Sequence, residues 1–211
     1  MNLRLPRAPR AGLLALLGAG ALSACAPILV GGVMVGTAMV ATDRRTTATQ
    51  LEDNEIDVKA ANRIQDVMGD KGEAGATSYN RVVLLTGEVP QLSDKASLEQ
   101  SIAGIENVQS VVNELSVGGF ARSLSQRSND SYTTTKVKTS LVDAKDLFSN
   151  SIKIVTYNGA VYLMGRVTER EADRAAEVAR GVGGVTKVVK VFQIISEQEL
   201  ANTAPKAPVS Q

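Results

Sequence analysis

Two stretches of the chain carry the same order of apolar and polar positions. Ser78 to Val89 (SYNRVVLLTGEV) aligns with Thr156 to Val167 (TYNGAVYLMGRV) at a spacing of 78 residues, Tyr79 falling on Tyr157. With one residue dropped the spacing becomes 77 and the match resumes: Gly104-Ile105 falls on Gly181-Val182, Val108 on Val185 and Val111-Val112 on Val188-Val189. Upstream, Ile56, Ala60 and Ile64 fall on Thr133, Val137 and Leu141 at that same spacing of 77. The pattern is one unit of roughly 65 residues written twice, and because two copies are too few to stack as a solenoid, two small domains are expected.

Within each unit the periods predict the elements. The stripe at i, i+4 and i+8 (Ile56/Ala60/Ile64, Thr133/Val137/Leu141) predicts an opening helix. Two short strands follow, Ile152 to Tyr157 and Val161 to Val167, around Asn158-Gly159, a pair suited to a tight hairpin because both residues tolerate positive φ. Asn80-Arg81 holds that place in the first copy and is less suited to it. Val83, Leu85, Gly87 and Val89 share one strand face, as do Val161, Leu163, Gly165 and Val167. A glycine at the same place in both copies predicts a bulge or a close helix crossing.

A second helix opens at Thr168, with Glu171 completing a capping box, and buries Ala172, Ala175, Ala176 and Ala179. Gly181 ends it, and Val185 to Ile195 is the last strand. Strand, helix, strand in one sheet favours a parallel right-handed crossover. The expected class is therefore α+β: two tandem domains, each helix-strand-strand-helix-strand, with a mixed three-stranded sheet and two helices. The boundaries read as 54–117 and 131–195 with a linker at 118–130, and each copy is expected to close its own apolar set. Residues 196–211, with two prolines and no apolar period at their end, read as a disordered tail.

The N-terminus has a different pattern. Arg4, Arg7 and Arg10 precede the apolar run Ala11 to Leu22, the layout of a secretory signal peptide. The chain's one cysteine follows directly, in Leu22-Ser23-Ala24-Cys25, where an unpaired thiol in an exported protein needs an explanation. This ending resembles the lipobox of bacterial lipoproteins. The resemblance implies that Cys25 is acylated, that residues 1–24 are removed, and that residues 25–53 are the lipidated cysteine and its tether. Ala26 to Ala41 is glycine-rich and shorter than the roughly 20 apolar residues of a spanning helix.

Composition narrows the chemistry. The sequence contains no histidine and no tryptophan, so Ser-His-Asp and Cys-His nucleophile systems, imidazole bases and His/Cys zinc sites are all excluded. No catalytic residue, metal site or cofactor is expected. The net charge of +1 hides an asymmetry: Glu52 to Val117 holds five Lys/Arg against twelve Asp/Glu, and Ser131 to Ile195 holds ten against six. A basic second domain fits an anionic surface, while the acidic first faces solvent or a cationic partner. Nucleic acid is not the expected anion, because basic residues interleaved with aromatics for base stacking are lacking. With Val137 and Leu141 inward, 100° per residue places Tyr132, Thr135, Lys136 and Thr139 on the opposite face of the opening helix. A tyrosine there suits a bilayer interface, its ring at the headgroup boundary and its hydroxyl wet.

The element order, the repeated Leu-x-Gly-x-Val (Leu85 to Val89, Leu163 to Val167) and the repeated Gly-[Ile/Val]-x-x-Val (Gly104 to Val108, Gly181 to Val185) resemble the BON domain. With the lipobox, the whole chain is similar to the dual BON-domain outer-membrane lipoproteins of the DolP type. That resemblance implies phospholipid binding without catalysis, through the face bearing Tyr132, Thr135, Lys136 and Thr139, and a role in keeping the outer membrane intact. It also implies a lipid-anchored protein facing the periplasm of a Gram-negative bacterium. The competing expectation is an adaptor whose acidic first domain recruits envelope-assembly or division proteins.

Overall fold

The structure, a computed structural model, describes residues 43–69, 71–118 and 121–203. The signal segment, Cys25 and the apolar tether to residue 41 lie outside the described residues. The elements run α1 (Thr47–Met68), β1 (Glu73–Tyr79), β2 (Val82–Val89), α2 (Leu92–Ala103) and β3 (Ser110–Val117). The order then repeats as α3 (Leu124–Asp143), β4 (Ile152–Tyr157), β5 (Ala160–Val167), α4 (Glu169–Arg180) and β6 (Lys187–Ile194), closed by a short α5 (Glu197–Thr203). The two sheets are ordered β1-β2-β3 and β4-β5-β6. In each, the first pair is antiparallel and the second parallel, the mixed α+β architecture that the repeat predicts.

Both hairpins turn on two residues of positive φ, Asn80 and Arg81 (49° and 67°) and Asn158 and Gly159 (48° and 76°). The first turn therefore adopts the same conformation as the second although Arg81 stands where glycine would be easier. The recurrent strand glycines answer to a close approach, but of neighbouring backbone rather than of a helix. A Cβ on Gly87 (φ 138°) would collide with the Glu73 carbonyl oxygen on β1, and one on Gly165 would lie 2.5 Å from the Ser151 carbonyl oxygen. Gly87→Ala is expected to lower the unfolding free energy by about 2 to 4 kcal/mol, from the positive φ together with overpacking. Urea unfolding measures it, and a loss below about 0.5 kcal/mol, the scatter of neutral surface changes, would refute the steric account.

One apolar core sits between each sheet and its helices. The first gathers Ile56, Ala60 and Ile64 of α1 against Val83, Leu85 and Val89 of β2 and Leu98 and Ile102 of α2. The second gathers Val137 and Leu141 against Val161, Leu163 and Val167 and the alanines 172, 175 and 179. A third core lies between the two copies. Tyr79, Val82 and Leu84 pack with Tyr157, Tyr162, Met164 and Val191, so the opposite faces of β2 and β5 are buried as well. The copies therefore do not close separately as the sequence reading expects. The physical reason is already in the strands: VVLL and VYLM are continuous apolar runs, the pattern of strands buried on both faces. Polar ties rim this layer, Lys153 to the Ser78 carbonyl (2.9 Å), Lys187 to Glu114 (3.2 Å) and Asn158 to Glu88 (3.0 Å).

Both opening helices begin earlier than the apolar stripe indicates, at Thr47 and Leu124, so residues 124–130 of the expected linker and 47–53 of the expected tether are helical. Their added turns bury an aspartate rather than a hydrophobe, Asp53 in α1 and Asp130 in α3, and so carry no apolar period. Thr46 and Ser123 cap them. The expected tail likewise begins with a helix: α5 is held to the second copy by Arg166 to Glu199 (2.6 Å) and Arg170 to Glu197 (3.9 Å).

Candidate functional site

Each opening helix is fastened to its own hairpin by a buried carboxylate. Asp53 accepts from the amides of Asn80 (2.7 Å) and Arg81 (2.8 Å) and from the Ser78 hydroxyl (2.8 Å). Asp130 accepts from the amides of Asn158 and Gly159, both at 2.9 Å. An arginine eight residues upstream completes each set: Arg45 reaches Asp53 at 2.8 Å and Arg122 reaches Asp130 at 2.6 Å. The same guanidinium lies over a tyrosine ring, Arg45 over Tyr79 at 4.1 Å and Arg122 over Tyr157 at 3.9 Å. Burial alone would raise the Asp53 carboxyl, but the donors from Arg81, Ser78, Arg45 and Asn80 outweigh it and hold it below its ordinary value. This repeated clamp was legible as Arg45/Arg122 and Asp53/Asp130 at the spacing of 77, and the apolar reading passed over it.

A third arginine binds the chain entering the fold to the second copy. Arg44 makes a two-pronged pair with Glu171, both contacts at 2.7 Å, and donates to the Arg166 carbonyl at 2.9 Å. Glu171 also completes the expected capping box by accepting from the Thr168 amide at 3.0 Å. Burial pushes its carboxyl up, but the hydrogen bonds from Arg44 and Thr168 outweigh this and hold it below its ordinary value.

The clamps fix the face of α3 that points away from the core. Val137 and Leu141 are fully buried, and Thr133 is buried with them. Tyr132 (65% exposed), Thr135 and Thr139 are exposed and Lys136 is half-buried, so the four predicted residues do share the outer side. Thr135 and Thr139 donate back to the Ser131 and Thr135 carbonyls, each at 3.0 Å. The Lys136 ammonium donates to the Gly183 carbonyl and lies 4.8 Å from the centre of the Tyr132 ring. It stands between two open grooves. One, of about 430 Å³, runs past Tyr132, Asp130 and the Asn158-Gly159 turn; the other, of about 580 Å³, runs past Thr135, Thr139, Val182 and Gly183. Tyr132 thus shares a groove with Lys136 but not with Thr135 or Thr139. Gly183 is an addition to the four, since it falls on an unspecified position of the Gly-[Ile/Val]-x-x-Val motif and carries no side chain to single it out.

Most of the second domain's positive charge is internally engaged. Lys153, Arg166, Arg170, Arg174, Lys187 and Lys190 each face a carboxylate within 4 Å. Among the described residues Lys136 has no such partner, so the ammonium on this face is one of the few left to meet an external anion. No helix among the described residues is long and apolar enough to cross a membrane, and no cluster of three or more ligating side chains is present among them.

The BON domain model matches residues 56–119 and again 129–196. The chain belongs to the BON-domain family. It is similar to the outer membrane lipoprotein DolP of Haemophilus influenzae, 38% identical over 176 residues, which cover 82% of this chain and 90% of that one. It is 36% identical over 155 residues to a 21 kDa hemolysin of Actinobacillus pleuropneumoniae, covering 72% and 79% of the two chains. The osmotically-inducible protein Y of Escherichia coli is 31% identical over 110 residues, about half of each chain (51% and 55%). The tandem arrangement and the likeness to DolP across most of both BON chains support an outer-membrane lipoprotein role, and no catalytic family is indicated.

Proposed function

We propose that this BON-domain protein is an outer-membrane lipoprotein, anchored through acylated Cys25 and facing the periplasm, whose second domain binds anionic phospholipid and thereby helps keep the outer membrane intact. The observation that carries the lipid half is Lys136: an ammonium without a carboxylate partner among the described residues, beside the exposed Tyr132 ring, at the wall between two open grooves. Tyr132 supplies an amphipathic ring for the headgroup boundary, and Lys136 supplies charge for a phosphate. Each basic side chain near an anionic surface contributes about 1 kcal/mol and is screened by salt, so the contact is weak and reversible. The lipid anchor makes a weak contact sufficient, because a tethered domain samples the surface at high effective concentration.

The test is flotation of the non-acylated mature chain with vesicles of phosphatidylglycerol in phosphatidylcholine. Binding is expected to fall with added salt and to drop about fivefold or more in Lys136→Glu, which reverses one charge. Tyr132→Ala should weaken it too while leaving thermal unfolding unchanged, because the side chain lies outside the core. A chain that stays in solution with these vesicles would overturn the lipid reading and favour an adaptor for envelope-assembly or division proteins.

A further inference from the structure

The first domain repeats the cleft with carboxylates beside its lysine. At the spacing of 77, Lys59 occupies the place of Lys136, and Gly104 and Ile105 those of Gly181 and Val182. These three first-domain residues line an open groove of about 350 Å³, the counterpart of the larger of the two beside Lys136. The difference lies in what faces the ammonium. Lys59 pairs with Glu55 at 2.7 Å and with Glu106 at 3.7 Å. The corresponding positions in the second domain are Tyr132 and Gly183, which carry no charge. We infer that the residue pairs Glu55/Glu106 and Tyr132/Gly183 decide which copy accepts an anionic headgroup, so that the first domain carries a latent phospholipid site silenced by two carboxylates.

The inference rests on the lipid reading of the second domain and extends it to a cause. An anion approaching Lys59 meets two negative charges within 4 Å of its target, whereas at Lys136 it meets a tyrosine ring and a backbone carbonyl. The backbone does not impose this difference. Asn107 and Gly184 follow the two positions with the same sign of φ, 67° and 104°, so the loops run alike. A Cβ on Gly183 would meet no atom within 4 Å, so a glutamate fits there without strain.

Exchange of the residues tests this in the full non-acylated chain with the same phosphatidylglycerol vesicles. Gly183→Glu is expected to lower binding about fivefold, the effect of one charge at an anionic surface, and Gly183→Gln, equal in size but uncharged, to lower it less. In the Gly183→Glu background, Glu55→Tyr together with Glu106→Gly should restore binding through the first domain, and Lys59→Glu should then abolish it again. Thermal unfolding confirms that each variant is folded. Equal binding by Gly183→Glu and the native chain, equal loss with Gly183→Gln, or no recovery in the exchanged chain would overturn the inference while leaving the lipid reading intact. A native chain that ignores the vesicles would defeat that reading first, and this one with it.

Discussion

An Asp53→Ala chain is expected to unfold with about 3 to 5 kcal/mol less free energy than the native protein, the range for removing one partner of a buried, hydrogen-bonded ion pair. Asp53 is 1% exposed and closes four contacts at once, the amides of Asn80 and Arg81, the Ser78 hydroxyl and the Arg45 guanidinium. Without it the positive-φ turn at Asn80-Arg81 loses the acceptor that holds it against α1, and the Ser78 hydroxyl is left buried without that partner. Asp53→Asn, which keeps one acceptor oxygen and the shape, should cost less. Urea unfolding of the non-acylated chain measures both, and a loss under about 1 kcal/mol, the net worth of a single ordinary hydrogen bond, would show that the clamp is not a major contributor.

The same group gives stability a pH dependence of definite sign. Asp53, Glu73 and Glu171 each ionise below their ordinary values in the folded chain: burial opposes this in every case, and donors from Arg81, Ser78 and Arg45, from Arg122, and from Arg44 and Thr168 respectively prevail. A depressed native pKa contributes stability that is fully present above the unfolded value and is lost as pH falls through the native one. Asp57 works the other way, its carboxyl raised chiefly by burial, so its share is present at low pH and lost as pH rises. With three carboxyls against one, stability should fall below about pH 4, where the unfolded carboxylates take up protons. Asp53→Asn should flatten that slope, and an unchanged slope would count against the assignment.

A Cys25→Ser chain is expected to take up no labelled fatty acid and to accumulate as an unprocessed or mislocalised precursor. The acylated residue is the proposed membrane attachment, and each buried CH₂ of its chains contributes about 0.8 kcal/mol, enough in sum to hold the protein without a spanning helix. Label still entering the serine variant would sink the anchor. By the sorting rule that the lipobox resemblance implies, Ala26 in place of aspartate after the cysteine is expected to direct the protein to the outer membrane. Recovery in inner-membrane density fractions would contradict that half alone.

Much of the architecture follows from local periodicity. The spacing of 78 and 77 residues, the i, i+4, i+8 stripe and the alternation in β2 and β5 are set by the geometry of one helix or one strand, so helix order, mixed sheets and the outer face of α3 can all be read from the chain. The same rotation that buries Val137 and Leu141 turns Tyr132 and Lys136 outward. The tertiary structure decided what no local period encodes. Tyr79 and Tyr157 meet in one layer because two sheets pack face to face, and Arg44 finds Glu171 across 127 residues. The surroundings of the two lysines are local only in part: Glu55 reaches Lys59 at 2.7 Å from one turn away on α1, but Glu106 is carried to 3.7 Å by the loop after α2, and at Lys136 the Gly183 carbonyl arrives in its place. Burial patterns repeat along a chain, whereas the pairing of charges depends on where separate elements meet, and only the folded chain brings them together.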